Sequence, residues 1–344
     1  MRILKRVRAI FILTLFIILF SSFFYFFSLL NPIDENDKSN SLFYVAQGSS
    51  LNLVLHNLEK EKFIKSYYIA KIYSYLNKDK LKLIKPGEYK LSKSMSIKEI
   101  LGVISSGKVF INFITIREGL SINKISKLLD EKNYSGQKYL NLATNISPEL
   151  REKFVFLDKL PNGSSFEGYL FPDTYDITKG NIEDLIKLQL SQFEKTIYQA
   201  WFNRSSNWKL SFQETLTLAS IVELEAQVPQ ERDIIAGVFM KRLEKGMTLG
   251  SDPTVEYALG WHQNENGLSY DDIKVRSPYN TYINVGLPPG PICNPGLATF
   301  NAVLNYKNTP YLYFVAKGDG SHIFTSTYKD HLNAQARIKN GFAN

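Results

Sequence analysis

The first hydrophobic pattern in the chain is a long uncharged stretch near its start. Residues 9–30 are apolar except for five serine, threonine or tyrosine positions. As a helix, this stretch is long enough to cross the roughly 30 Å hydrocarbon core of a membrane. Four cationic residues precede it and three acidic residues follow it, so the positive-inside rule predicts a cytoplasmic tail at residues 1–8 and an extracytoplasmic remainder. A cleaved signal peptide is the alternative, but the stretch is longer than the usual signal core and lacks a clean cleavage site.

A polar linker at residues 31–41 leads into short strand and helix patterns. Residues 42–45 predict a strand, and the apolar spacing of residues 51–58 predicts an amphipathic helix after a glycine and serine turn. The same order of strand, turn and helix recurs 71 residues later, at residues 114–129. These patterns predict an α/β segment over residues 42–108, but they occur in many folds and indicate architecture, not function.

Residues 216–225 predict an apolar helix with an acid where a core residue is expected. Ser211 and Glu214 predict a capping box at its start. The helical period places Glu223 and Glu225 about 200° apart, so we expect only one of them, Glu223, to face inward. Apolar surroundings raise the pKa of a carboxyl group toward the range of a general acid. A solvated glutamate at a helix end is the alternative.

Loops rich in aromatic residues, proline and glycine flank this helix. Residues 165–175 hold four aromatics, which either pack against sugar rings or plug the core. Residues 249–255 predict a turn, and the segment at 286–296 has four prolines and three glycines. That segment is either structural stiffening or a preorganised substrate wall, and the polar residues before it favour the wall. The candidate substrate-binding residues in these loops are Glu167, Tyr169, Asp173, Asp252, Ser277, Tyr279, Asn280 and Thr281.

The remaining patterns predict a mixed α+β domain over residues 109–344. Apolar spacing predicts helices at residues 181–198 and 232–245. Residues 311–316 and 322–325 predict two strands joined by a glycine-rich turn, and a last helix is predicted from Tyr328.

Composition and charge limit the cofactors and partners that we expect for this chain. With 344 residues, 44% hydrophobic and 22% charged, the chain is long enough for two or more domains. The one cysteine, Cys293, has no partner for an internal disulfide, and the four histidines lack a metal-binding spacing, so we expect no metal and no cofactor. The net charge of +8 is not gathered into basic runs, so we expect no nucleic-acid partner and only weak attraction to anionic membranes or polymers.

Six motifs, in this order, resemble those of the membrane-anchored endolytic murein transglycosylases of the YceG-like or MltG family. They are Glu167-Gly-Tyr-Leu-Phe-Pro-Asp-Thr-Tyr, Ala219-Ser-Ile-Val-Glu, Ser251-Asp-Pro-Thr-Val, Ser277-Pro-Tyr-Asn-Thr-Tyr, Gly286-Leu-Pro-Pro-Gly-Pro-Ile with Asn294-Pro-Gly, and Gly318-Asp-Gly-Ser-His. The resemblance implies an α+β architecture with a LysM-like domain at residues 42–108 and a YceG-like catalytic domain at residues 109–344. It also implies that Glu223 corresponds to the catalytic glutamate of the family.

The resemblance further implies a function in assembly of the cell wall. The enzyme would cleave the β-1,4 bond between N-acetylmuramic acid and N-acetylglucosamine in nascent glycan strands, without water, leaving a 1,6-anhydro end and ending strand elongation. Its partners would be peptidoglycan strands and peptidoglycan synthases, and it would span the inner (plasma) membrane once with its catalytic domain outside. One glutamate suffices for this reaction as acid and then base, and the helix face of Glu223 carries no second acid.

Two other functions remain open from the sequence. In a hydrolase, Asp252 or Glu167 would activate water opposite Glu223, with the carboxyl groups about 6.5–9.5 Å apart. In a non-catalytic scaffold, the chain would bind peptidoglycan and hold the synthesis machinery, with Glu223 a structural acid. The rigid polar loops around Glu223 weigh against the scaffold, which has no evident need for them.

Overall fold

The computed structural model describes residues 2–77, 84–109, 113–158, 160–161, 163–177, 181–260 and 267–341, with the backbone alone for residues 2–9. His262, one of the four histidines considered above, lies outside the described residues. The chain divides into two compact units, Met1–Asn112 and Phe113–Asn344.

The apolar stretch near the start is a helix, as predicted. Helix α1 spans Arg2–Leu30, so it begins within the stretch that the sequence analysis assigned to a tail. Its part from Ile10 to Leu30 is long and apolar enough to cross a membrane, and its large apolar side chains are exposed. This is the composition of a single-pass anchor or of a signal sequence.

In the first unit, α1 is followed by two strands with two helices between them in sequence, and a third helix follows the second strand. The elements are β1 (Asn40–Val45), α2 (Leu51–Lys60), α3 (Tyr67–Leu76), β2 (Gly87–Ser92) and α4 (Ile97–Ser106). Strands β1 and β2 pair antiparallel, with Phe43 opposite Tyr89 in the core of this unit. The Ser50 hydroxyl caps α2, and Ser96 forms a capping box with Glu99 at α4, because these side chains accept backbone N–H groups that a helix start leaves unpaired.

The second unit is mostly helical with small sheets. Its elements are β3 (Phe113–Thr115), α5 (Ile122–Glu131), α6 (Gly136–Thr144), α7 (Pro148–Lys153), β4 (Thr174–Asp176), α8 (Ile182–Phe193), α9 (Gln199–Phe202), α10 (Phe212–Glu225), α11 (Arg232–Glu244), α12 (Asp252–Leu259), α13 (Leu297–Leu304), β5 (Tyr313–Ala316), β6 (His322–Thr325) and α14 (Tyr328–Lys339). Strands β3 and β4 pair antiparallel, and so do β5 and β6. The mixed α+β class is therefore confirmed.

Helix α10 is the centre of this unit. The predicted capping box is present, since the Ser211 hydroxyl accepts the Glu214 N–H and the Glu214 carboxylate accepts the Ser211 N–H. Every residue from 215 to 222 is buried, and α10 packs against α11, α12 and α13. A helix that is buried on all sides exposes only its ends, so a functional group can reach a surface only there.

The aromatic residues of the 165–175 loop lie in the core. Tyr169 is 2% exposed and packs against Phe156, Phe193 and Phe212. Of the two interpretations of this loop, the structure supports the core plug for Tyr169, because a ring enclosed by other rings has no open face.

Two helices lie in the region that the sequence analysis predicted as turns and loops. Asp252 begins α12 instead of standing in a turn, and α13 follows directly after the proline-rich segment. Both helices have eight residues with a proline or a glycine at the start, so local composition resembles that of a loop.

Gly168 lies in the loop at residues 165–175 and offers a test of how tightly that loop is packed. Its φ is +89°, and a Cβ atom there would lie 2.5 Å from Cβ of Pro291. Gly163 has a similar φ of +81°, and no described atom lies within 4 Å of the position of its Cβ. We expect Gly168→Ala to lower the free energy of unfolding by about 1–3 kcal/mol more than Gly163→Ala, because only the first adds overpacking to the strain of a positive φ.

Urea unfolding of both variants measures this difference. Equal losses of stability would show that the loop yields at Pro291 and is not fixed there.

Candidate active site

Glu223 lies in the last turn of α10, and its side chain is only 6% exposed. The backbone N–H of Gly296, at the start of α13, donates a hydrogen bond of 2.8 Å to Oε2. On the other side, Nη2 of Arg232, the first residue of α11, lies 3.5 Å from Oε1. The carboxyl group is therefore held between an N–H group and a cation, where the sequence suggested apolar surroundings.

A second acid approaches the same arginine. Oε2 of Glu118, in the loop before α5, lies 3.9 Å from Nη2 of Arg232, and the Glu118 side chain is 48% exposed. Gly296 makes this approach possible, because a Cβ atom there would lie 1.9 Å from Oε1 of Glu118. Glu118 comes from another part of the chain, so the helical period around Glu223 gives no sign of it.

The surroundings of Glu223 favour its neutral form. Burial raises the pKa of Glu223 above the usual value, and the charge of Glu118 raises it further. The hydrogen bond from Gly296, the nearby hydroxyl of Thr299 and the charge of Arg232 lower it, but the net pKa stays raised. The group therefore keeps its proton to a higher pH than an ordinary glutamate and still has partners that stabilise its anion.

Asn294 and Glu167 stabilise the loops that lie beside Glu223 and Glu118. Asn294 accepts a hydrogen bond of 2.9 Å from the Leu170 N–H and donates one of 2.8 Å to the Leu120 carbonyl. Glu167 is 5% exposed, and its two oxygens lie 3.1 and 3.2 Å from the Ile122 nitrogen at the start of α5. Burial raises the pKa of Glu167 to about 8. Both side chains thus fix the loop that presents Glu118.

Asn280 and Thr281, also expected at the site, are fully buried and bonded within the protein. The Asn280 amide donates to the carbonyls of Ile273 and Val275, each at 2.9 Å. The Thr281 hydroxyl accepts a bond of 3.0 Å from the Ser251 N–H.

Three other expected residues make local contacts. The Ser277 hydroxyl accepts the Tyr279 N–H at 3.2 Å, the Tyr279 ring packs 4.9 Å from that of Tyr257, and exposed Asp173 accepts the N–H of its neighbour Thr174 at 2.7 Å. Within the described ranges, none of the eight candidate binding residues is hydrogen-bonded to Glu223.

The orientation of Glu225 differs from the one predicted from the sequence. The helical period predicted that it would turn away from the interior, yet it is partly buried, and the Ser251 hydroxyl donates to its Oε1 at 2.5 Å. Burial raises the pKa of Glu225 to about 7. The prediction that only one of the two acids faces inward is wrong, because the segment that starts α12 covers the opposite side of α10.

Glu225 also lines a cavity of about 530 Å³ on its own side of α10. Asp252 lines this cavity too, and it accepts a hydrogen bond from the Tyr282 hydroxyl.

Metal ligation finds no support in the part of the chain that the structure describes, where no group of three or more histidine, cysteine or acidic residues could hold an ion. His322 instead pairs with Glu231, with Nδ1 at 2.7 Å from Oε2. Cys293 is buried, and burial raises the pKa of its thiol well above the usual value.

Most of the chain is similar to proteins of one family. Residues 43–337 match the model of the YceG-like family. The chain is 35% identical to the endolytic murein transglycosylase of Bacillus subtilis (strain 168), over 93% of this chain and 91% of that protein. It is 31% identical to the endolytic murein transglycosylase of Streptococcus pneumoniae (strain D39), over 87% of this chain and 58% of that protein.

A solved structure is also similar. The crystal structure of a yceG-like protein from Listeria monocytogenes superimposes with a TM-score of 0.57 at 32% identity, covering 86% of this chain and 99% of that one. With a family match over most of its length, this chain belongs to the YceG-like family.

Proposed function

We propose that this protein is a membrane-anchored lytic transglycosylase that cleaves peptidoglycan glycan strands, with Glu223 as its acid and base. The observation that carries the proposal is the environment of Glu223, an almost buried carboxyl with a raised pKa between the Gly296 N–H and Arg232. The curated relatives named endolytic murein transglycosylases support the choice of substrate.

In the first step, Glu223 acts as an acid. Its carboxyl group holds the transferable proton while Oε2 accepts the Gly296 N–H. That proton passes to the oxygen of the β-1,4 bond that follows N-acetylmuramic acid, and the C1–O bond breaks with its electron pair on the departing sugar. The carboxylate that remains is stabilised by the same N–H and by Arg232.

In the second step, Glu223 acts as a base. The C6 hydroxyl of the muramic acid attacks C1 and forms a 1,6-anhydro ring, and its proton passes to the carboxylate. No water is consumed, and the acid form of Glu223 is restored. An intramolecular hydroxyl needs no activation by a second carboxylate, because its proximity already supplies much of the rate.

Hydrolysis is the enzymatic alternative, and two of its candidate bases are poorly placed. Glu167 is buried and bonded to the Ile122 N–H. Asp252 lines the cavity of Glu225, on the side of α10 that the helical period places away from Glu223. Glu118 is the acid beside the cluster, so a hydrolase built on this site would use Glu118 to activate water.

The first unit would anchor and position the enzyme. We propose that α1 is retained as a single-pass anchor with a cytoplasmic N-terminus, and that the strand–helix–helix–strand segment is a LysM-like module that binds glycan. Peptidoglycan synthases would be partners at the same membrane. A non-catalytic scaffold would share these features, and it differs in having no use for the raised pKa of Glu223.

Replacement of the acid is the direct test of the active site. Glu223→Gln keeps the shape of the side chain and removes its ionisable proton, so turnover of purified glycan strands should fall by roughly 10²-fold or more, with folding and strand binding retained.

Glu225→Gln is the matched control, since Glu225 is on the same helix and also has a pKa raised by burial. It should keep most of the activity. Near-normal turnover in Glu223→Gln would remove Glu223 from the mechanism.

The anchor can be tested separately. Because α1 holds a mostly apolar stretch of 21 residues from Ile10 to Leu30, the full chain should stay with the membrane after carbonate or high-salt washing. Recovery in the soluble fraction, with a mature start near Asn31, would replace the anchor by a cleaved signal.

A further inference from the structure

We propose that Glu118 is a positioning residue of this reaction. Arg232 pairs with Glu118 while Glu223 is protonated, and it pairs with Glu223 when Glu223 ionises. This rests on the function proposed above for Glu223. The observation behind it is that one nitrogen, Nη2 of Arg232, lies 3.5 Å from Glu223 and 3.9 Å from Glu118, so the arginine is shared between two carboxyl groups.

The other acids next to Arg232 are already paired. Glu231 accepts the backbone N–H of His322 at 3.1 Å and lies 2.7 Å from its ring nitrogen. Asp233 pairs with Lys307 at 3.0 Å. Glu223 and Glu118 are the remaining acids that the structure places beside the guanidinium, in the described part of the chain.

Arg232 is held by few hydrogen bonds among the described residues. Its side chain is 17% exposed, and its Nε is buried without a hydrogen-bond partner among the described residues. A guanidinium fixed by several carbonyl groups would hold one position, as Arg242 does with Leu249 and Leu312. Arg232 instead needs to move only a fraction of an ångström to favour one carboxyl over the other.

The need for Glu118 follows from the proton on Glu223. A cation 3.5 Å from Oε1 favours the ionised carboxylate and so opposes the acid form that begins the reaction. The negative charge of Glu118 offsets that cation, and it acts in the direction of a raised pKa for Glu223.

In the described part of the chain, the other groups that affect Glu223 or lie against it are uncharged. They are the Gly296 N–H and the Thr299 hydroxyl of α13 and the buried neutral thiol of Cys293. Arg232 and Glu118 therefore set the balance.

Backbone contacts hold Glu118 in place. The N–H of the next residue, Gly119, donates a hydrogen bond of 2.9 Å to the Asn294 carbonyl. The absent Cβ of Gly296 leaves room for the Glu118 carboxylate beside the residue whose N–H binds Glu223. The loop before α5 thus presents Glu118 to Arg232 and not to the core.

The test is the pH profile of turnover for the full chain in detergent, with purified glycan strands as substrate. Activity requires protonated Glu223, so it is present below the pKa of Glu223 and lost as the pH rises through it. Glu118→Gln removes the charge that raises this pKa, so the alkaline limb should move to lower pH while turnover at acidic pH changes little. Glu118→Asp keeps the charge and should leave the limb closer to that of the wild type.

A second substitution separates charge from structure. Adding Arg232→Gln to Glu118→Gln removes the opposing cation, so the limb should move back to higher pH. If Glu118→Gln instead lowers turnover equally at every pH, or leaves the profile unchanged, Glu118 has no part in the balance of charge. Either result leaves the loss of activity in Glu223→Gln intact, so this proposal can fail while the assignment of Glu223 stands.

Discussion

The structure of the second unit depends on the burial of one carboxyl group at the end of an apolar helix. A buried charge without partners costs several kcal/mol, so Glu223 is tolerated only if it is neutral or compensated. The Gly296 N–H and Arg232 compensate its anion, while burial favours its protonated form. An acid and base needs both states at similar free energy, and the same constraint that makes Glu223 costly for the fold makes it useful for proton transfer.

The charge of Glu223 is balanced by three segments that are far apart in the sequence and meet beside it. Glu118 comes from the loop before α5, Arg232 from α11 and Gly296 from α13. Buried polar side chains fasten these segments, with Glu167 and Asn294 bonded to the backbone near the start of α5. Several polar residues of the loop motifs thus have a clear structural task. Their contact with substrate stays a prediction, and for the buried ones, Asn280 and Thr281, internal bonds already use the polar groups.

The elements that the sequence predicted well are those set by neighbouring residues. The capping box at Ser211, the helix that follows it and the hairpin β5–β6 depend on short spacings and turn residues. The eight-residue helices α12 and α13 were missed, because proline and glycine at their starts resemble loop composition. Glu225 was misplaced and Glu118 and Arg232 were overlooked for a different reason. Their positions depend on contacts between segments far apart in sequence, which the period of a single helix does not contain.

The central claim is that the muramic acid C6 hydroxyl, and not water, attacks C1 after Glu223 has protonated the leaving oxygen. The mass of the products from wild-type protein and purified glycan strands tests it most directly. This mechanism predicts muramic ends about 18 Da lighter than hydrolysis gives, because the intramolecular hydroxyl takes the place of water. Ends that carry the full mass of water would contradict it and would make the protein a hydrolase, with Glu118 as the first candidate to activate the water.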